Sequence, residues 1–207
     1  MFITFEGGEG AGKSTAIKKI VEKLQAEGKE IVLTREPGGT PIGEEIRSII
    51  LDKKNTDMDV RTEALLYAAS RRQHIVQKII PSLKQGKVVL CDRFLDSSLA
   101  YQGYARGIGV QKVYEMNLFA TEGIEPDLTL FFDLDPEEGL RRIAANSQRE
   151  VNRLDVEKLS FHQKVREGFL SLAKKFPHRF VVIDASEKPD KVFASAYKEI
   201  ENILKRR

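Results

Sequence analysis

Tryptophan is absent from this sequence of 207 residues, and Cys91 is its one cysteine. A single thiol excludes an intrachain disulfide and a metal cluster built on thiolates, and it fits a cytosolic protein. Long apolar runs are missing too. Nothing approaches the ~20 apolar residues that span a bilayer. The chain opens on the strand-like MFITF rather than on a basic stretch followed by a long apolar one, so neither secretion nor membrane anchoring is expected. Charge of one sign is equally scarce: 34 Lys and Arg stand against 31 Asp and Glu, for a net +3, and the basic residues are dispersed among acids. No nucleic-acid surface and no membrane-facing patch is expected from that balance. His74, His162 and His178 share no spacing suited to a metal, and internal repeats and low-complexity tracts are absent.

What is present is enough apolar material, 41%, for a substantial core in one domain spanning 1–207. Five short apolar runs punctuate the chain: MFITF (1–5), EIVLT (30–34), KVVLC (87–91), LTLFF (128–132) and RFVVI (179–183). They are continuous rather than alternating, the pattern of parallel strands covered on both faces. Helical spacing separates them. Ile17, Ile20, Val21 and Leu24 precede a capping Gly28, and a second pattern runs from about Thr62 to Ile80 and is expected to stop at Pro81. Strand and helix in repeated alternation predict an α/β fold, a doubly wound five-stranded parallel sheet flanked by helices. Ligands of such sheets bind beyond the carboxyl ends of the strands. The segment NSQREVNRLD (146–155), with only two aliphatic residues, reads as a mobile polar lid, the alternative being an ordinary exposed loop.

Gly7 to Ser14, GGEGAGKS, match the phosphate-binding loop G-x-x-x-x-G-K-[ST] in its required setting, after a strand and before a helix. Gly7, Gly8, Glu9, Gly10, Ala11, Gly12, Lys13, Ser14 and Thr15 are therefore the candidate nucleotide-binding residues. Backbone N–H groups and the helix N-terminus take phosphate oxygens, Lys13 reaches the β- and γ-phosphates, and the Ser14 hydroxyl faces Mg²⁺. The N-K-x-D and D-x-x-G motifs of GTPases and the L-S-G-G-Q motif of transporter ATPases do not occur. Phosphoryl transfer to a second molecule, or ATP hydrolysis, remains.

Arg35 and Arg93 follow the second and third strands, which should deliver both to the sheet edge that carries the loop. Two guanidiniums there imply a second anion, since arginine grips phosphate with two parallel hydrogen bonds. A phosphate monoester acceptor is already a nucleophile near neutral pH, so positioning and charge neutralisation supply most of the catalysis. Tyr67 and Arg71, four residues apart, share a helix face and suit either core packing or stacking on a base and bonding its edge.

Together FEGGEGAGKST, TREPGGT, DRFLDSSLAYQG and PDLTLFFDLDP, in this order, resemble bacterial thymidylate kinase, and the likeness runs from Met1 through about Phe169. The resemblance implies a P-loop nucleoside monophosphate kinase fold, transfer of the γ-phosphate of ATP to dTMP, and a homodimer. It implies that Arg35 and Arg93 hold the acceptor phosphate, with Glu36 and Asp92 organising Mg²⁺ and its waters. Tyr67, where the family has Phe, would stack on the base. Arg71, Ser98 and Gln102 would read the thymine edge, Pro37 would shape the pocket around the ring, and Tyr101 would crowd out a 2′-hydroxyl. Glu9, which the triphosphate would repel, would face the 3′-hydroxyl of the acceptor or a metal-bound water. The variable loop positions hold no arginine here, so the cation at the transition state should come from the lid. Arg142, Arg149 and Arg153 are the candidates, Arg149 and Arg153 being favoured because they lie in the polar segment itself. A kinase for another monophosphate, such as dUMP or a purine nucleotide, fits the loop and arginine pair alone. A nucleotide-dependent binding module is the alternative outside enzymes, and provision for two anions speaks against it.

Overall fold

The computed structural model describes residues 1–145 and 153–205. Strands β1 (Phe2–Gly7), β2 (Ile31–Arg35), β3 (Val88–Asp92), β4 (Leu128–Asp133) and β5 (Phe180–Asp184) all pair in parallel, in the order β2-β3-β1-β4-β5. The apolar runs located every strand but ended each one short. The reason is that polar residues stay in the ladder: Arg35 lies across from Asp92, and Asp133 across from Asp184. These strand-end side chains are the ones the fold delivers to its ligand edge.

The helices are α1 (Lys13–Ala26), α2 (Pro41–Leu51), α3 (Val60–His74), α4 (Ile80–Lys84), α5 (Leu95–Ser98), α6 (Val110–Thr121), α7 (Pro136–Ala144), α8 (Leu159–Lys175) and α9 (Pro189–Lys205). Two π-helical segments, Ile75–Ile79 and Leu99–Ala105, join α3 to α4 and extend α5. The stop expected at Pro81 is overturned, for the helical path continues to Lys84 with Pro81 in the first turn of α4. Proline is tolerated there because a first turn does not need its N–H, and the widened turn before it loosens the ring's clash with the preceding carbonyls.

Successive strand residues point to opposite faces, and both faces are covered. Ile3, Phe5, Leu90, Leu130 and Phe132 meet Ile17, Ile20 and Leu24 of α1 and Ala196 and Ile200 of α9. Phe2, Val89, Cys91 and Phe131 meet Leu99, Val165 and Phe169 on the other side. Each such side chain, fully buried, contributes roughly 1.5–3 kcal/mol. Among the described residues no helix is long and apolar enough to cross a membrane.

A polar thread crosses the second core. Arg179 donates to both oxygens of Asp96, at 2.6 and 2.9 Å, and Thr129 Oγ1 donates to Asp96 and contacts Thr4 Oγ1 at 3.0 Å. All four residues are buried. The thread ties α5, which follows Arg93, to the sheet. Asp96→Ala removes the short ion pair and leaves the buried guanidinium only Thr129 and a longer contact to Glu125 at 3.7 Å, and it should lower stability by about 3 kcal/mol. Urea unfolding with an unchanged m-value is the measurement, and a loss under about 1 kcal/mol would show that the thread is not a fastening.

Candidate active site

The loop after β1 is shaped by close backbone approach. Gly10 has φ +69°, and a Cβ there would lie 2.2 Å from the Gly139 carbonyl oxygen of α7. The N-terminus of α1 carries no side-chain cap and no acidic residue in its first turn, so its N–H groups remain available to an anion. Lys13 Nζ donates to the carbonyls of Gly7, at 3.1 Å, and Gly8, at 3.0 Å. Burial, then repulsion from Arg93, push its amine down to about 8. Glu9 through Thr15 line a cavity of about 470 Å³. Gly7 and Gly8, expected among the nucleotide-binding residues, do not line it: their carbonyls hold Lys13, and Gly7 packs against Phe132.

Arg93 enters this cavity from the loop after β3. Its φ of +66° is left-handed, a conformation costing a non-glycine residue roughly 1–2 kcal/mol. The neighbouring amides hold it there. Arg93 N donates to Phe5 O at 3.0 Å, and Phe94 N to Glu6 Oε1 at 2.7 Å. Burial, followed by the Asp96 charge, raises the Glu6 carboxyl to about 8. The guanidinium donates to Glu9 at 2.6 Å, to Gly7 O at 2.9 Å and to Tyr101 Oη at 3.3 Å. Glu9 therefore points away from the loop's phosphate-binding face and onto Arg93, and Tyr101 donates to the same carboxylate at 3.4 Å.

Arg35 lines the same cavity as Arg93, and its guanidinium bonds different partners. It donates to Glu44 and to Pro37 O, both at 3.1 Å, with the side chain 47% exposed. Arg47 of α2, which the sequence reading missed, also lines the cavity and donates to Pro37 O at 3.1 Å.

Glu36 corrects the expectation of a magnesium organiser. One oxygen accepts from Arg71 Nε and the other faces His74 Nδ1, both at 2.8 Å. Both oxygens are thus engaged, since a buried guanidinium requires a partner and Arg71 is only 1% exposed, although Glu36 also lines the cavity. Arg71 also donates to Ser98 Oγ, Asn117 Oδ1 and Phe94 O. Four of its five N–H groups are thereby taken, leaving one on Nη2. Tyr67, Arg71, Phe94, Ser98, Tyr101, Gln102 and Pro37 all line the cavity, as the sequence led one to expect of all but Phe94. No spacing rule could have found Asn117 or His74, which act only through Arg71 and Glu36.

The lid expectations divide. Arg149 and residues 146–152 lie outside the described residues. Arg153 is turned away from the cavity: it is buried, donating to Ile50 O at 2.8 Å and to Glu63. A buried cation so paired is not free to meet a phosphate. Arg142 does line the cavity, bonded to Glu138 at 2.7 Å and to Ala185 O at 3.3 Å. The contact of Gly139 with the loop places it there, one helical turn on.

Asp92 Oδ1 is buried without a hydrogen-bond partner, and Asp92 and Ser14 line the cavity together. An orphaned carboxylate oxygen beside a hydroxyl suits a hard cation such as Mg²⁺. Among the described residues no group of three or more His, Cys, Asp and Glu could hold a metal, so further ligands would have to be phosphate oxygens or water.

The family model for thymidylate kinase matches residues 5–196, well past the Phe169 reached by the motifs alone. The thymidylate kinase of Geobacillus sp. (strain WCH70) is 61% identical over 193 residues, covering 93% of this chain and 92% of that protein. That of Bacillus velezensis is 56% identical over 206 residues, covering 100% and 97%. The crystal structure of thymidylate kinase from Ehrlichia chaffeensis superposes with a TM-score of 0.79 at 36% identity, covering 97% of this chain and 98% of that one. Likeness of this extent in both sequence and fold places the chain in the thymidylate kinase family.

Proposed function

We propose that the protein transfers the γ-phosphate of ATP to dTMP, giving dTDP and ADP, and that the cavity between the phosphate loop and the loop after β3 is where transfer occurs. One observation carries this reading: the same cavity is lined by Lys13, which belongs to the donor, and by Arg93, whose strained backbone is held in place by two amide hydrogen bonds.

Loop amides and Lys13 hold the triphosphate, Lys13 exchanging two carbonyl oxygens for phosphate oxygens. Arg93 holds the acceptor phosphate, joined by Arg35 and Arg47. The acceptor oxygen attacks the γ-phosphorus, the bond from that phosphorus to the β–γ bridging oxygen breaks, and ADP leaves. No general base is required because the acceptor is already anionic. Ser14 and Asp92 would hold Mg²⁺, which when bound neutralises phosphate charge. Arg142 supplies the further cation at the transition state. Tyr67 and Phe94 flank the base, with Pro37 beside it. The remaining Arg71 N–H meets a thymine carbonyl, and Ser98 and Gln102 complete the edge. Tyr101 and Glu9 face the sugar.

A homodimer belongs to the same proposal, supported by Leu65 on α3 and Phe119 on α6, helices that pack together and leave these side chains 58% and 88% exposed. A cytosolic location is consistent with the lone, buried Cys91 thiol.

ADP release measured against dTMP, dUMP, dCMP and dGMP should be fastest by far with dTMP. ATP turnover indifferent to the monophosphate would overturn the assignment. In the same assay Arg142→Ala should lower kcat about a hundredfold or more while moving either KM only a few-fold. Full turnover in that variant would exclude Arg142 from the transition state.

The depressed Lys13 pKa gives a pH signature. Below about 8 the amine is already cationic, so ATP affinity should be flat between pH 7 and 7.5. Above it, binding must first take up a proton, and Kd should weaken by about tenfold per pH unit. Calorimetry to pH 9.5 reads this directly, and a Kd constant over the range contradicts it.

A further inference from the structure

Glu63 has no place in the mechanism above, yet it is 1% exposed at the start of α3, on the face that carries Tyr67 and Arg71 one and two turns on. Its carboxylate gathers three side chains. Oε1 accepts from Gln102 Nε2 at 2.8 Å and from Arg106 Nε at 3.4 Å, while Oε2 accepts from Arg106 Nη2 at 3.2 Å and from Arg153. Burial pushes this carboxyl up, but Arg106, Gln102 and Arg153 together outweigh it and hold it below its usual value. It is ionised at neutral pH and can only accept hydrogen bonds.

That fact fixes the amide of Gln102. Its NH₂ must face Glu63, because the reverse orientation would set a carbonyl oxygen against a buried carboxylate. The side-chain oxygen of Gln102, Oε1, is then turned from Glu63, accepts no hydrogen bond among the described residues, and belongs to a residue lining the cavity. Arg71, which lines the same cavity, offers the opposite character, one unused N–H. A donor paired with an acceptor matches a base edge presenting a carbonyl and a ring N–H, as in the imide of thymine or uracil. The amino group and unprotonated ring nitrogen of cytosine present the reverse.

We infer that Glu63 is a specificity-determining positioning residue, which selects an imide-bearing pyrimidine without touching it by locking the Gln102 amide with its oxygen toward the base. This rests on the docking of the base against Gln102 proposed above. In Glu63→Gln the partner amide can itself donate to a reversed Gln102, so the lock is lost while the side-chain shape is kept.

The test compares kcat/KM for dTMP with that for 5-methyl-dCMP, which keeps the methyl group and differs at the base edge alone. Glu63→Gln should lower this preference by about tenfold or more, with the KM for ATP within about twofold of wild type. Gln102→Ala should lower it as well, and the double variant should fall no further than Gln102→Ala alone, because one residue acts through the other. An unchanged preference in Glu63→Gln overturns the inference. So does a full additional fall in the double variant, which would place the effect in Arg106, Arg153 or the packing of α3. If Gln102→Ala keeps the wild-type preference, it is the docking of the base that fails, and the inference falls with it. Glu63→Asp, which keeps a charge for the two arginines but is one methylene too short for Gln102, should reproduce the lost preference and serves where Glu63→Gln does not fold.

Discussion

Arg71 is a full positive charge with 1% of its surface exposed, and much of the cavity wall is arranged to make that tolerable. Its partners come from the loop after β2, the loop after β3, α5 and α6, so satisfying one guanidinium fixes four pieces of chain relative to α3. Removing one partner of such a pair costs about 3–5 kcal/mol, whereas a well-packed apolar replacement of the whole set is often neutral or stabilising. Stability alone therefore gives no reason to keep the network. Under the proposed function the reason lies in the N–H it leaves over: a donor whose direction is set by four other hydrogen bonds would lose little freedom on meeting a base.

The phosphate side follows the opposite rule. Lys13 rests on loop carbonyls, Arg93 on Glu9, and Arg35 on Glu44. Each cation has an oxygen partner within the protein. Arg35 and Arg93, expected to grip one acceptor phosphate, line one cavity but bond different partners, and Arg35 is the more exposed of the two. Arg35 and Glu44 are 47% and 43% exposed, and a pair so well hydrated is worth roughly 0–1 kcal/mol. A phosphate dianion can replace Glu44 at little cost. Exposure thus marks the Arg35–Glu44 pair as the one most easily exchanged.

Much of this was legible in the sequence. Continuous apolar runs gave the parallel sheet, and the loop motif gave the phosphate site, because both depend on local residue type. Strand ends were misjudged by a residue or two since Arg35 and Asp92 pair through backbone, which hydrophobicity does not report. Glu36 was misassigned because a carboxylate beside an arginine motif suits a metal or a guanidinium equally well, and only the position of Arg71, thirty-five residues on, decides between them. Arg153 misled for the same reason: polar composition marked its segment as exposed, yet Glu63, ninety residues back, buries it. Arg142 was underweighted because its place depends on Gly10 meeting Gly139, a backbone contact with no signature beyond two glycines.

The segment Leu99–Ala105 shows how far such contacts reach. Its π-helical winding carries Tyr101 and Gln102, the first bonded to Glu9 and Arg93, the second to Glu63. Adjacent positions on a regular helix are turned about a hundred degrees apart. Here the two consecutive side chains line one cavity, Tyr101 bonded to Arg93 and Gln102 to Glu63. A widened turn of this kind is held by tertiary contacts rather than by local preference, in this case by the packing of Tyr101 against Phe161 and Phe169 and of Gly168 against Ala100. The helix α8 that supplies those contacts touches no part of the cavity, yet it fixes the segment that brings both side chains into it.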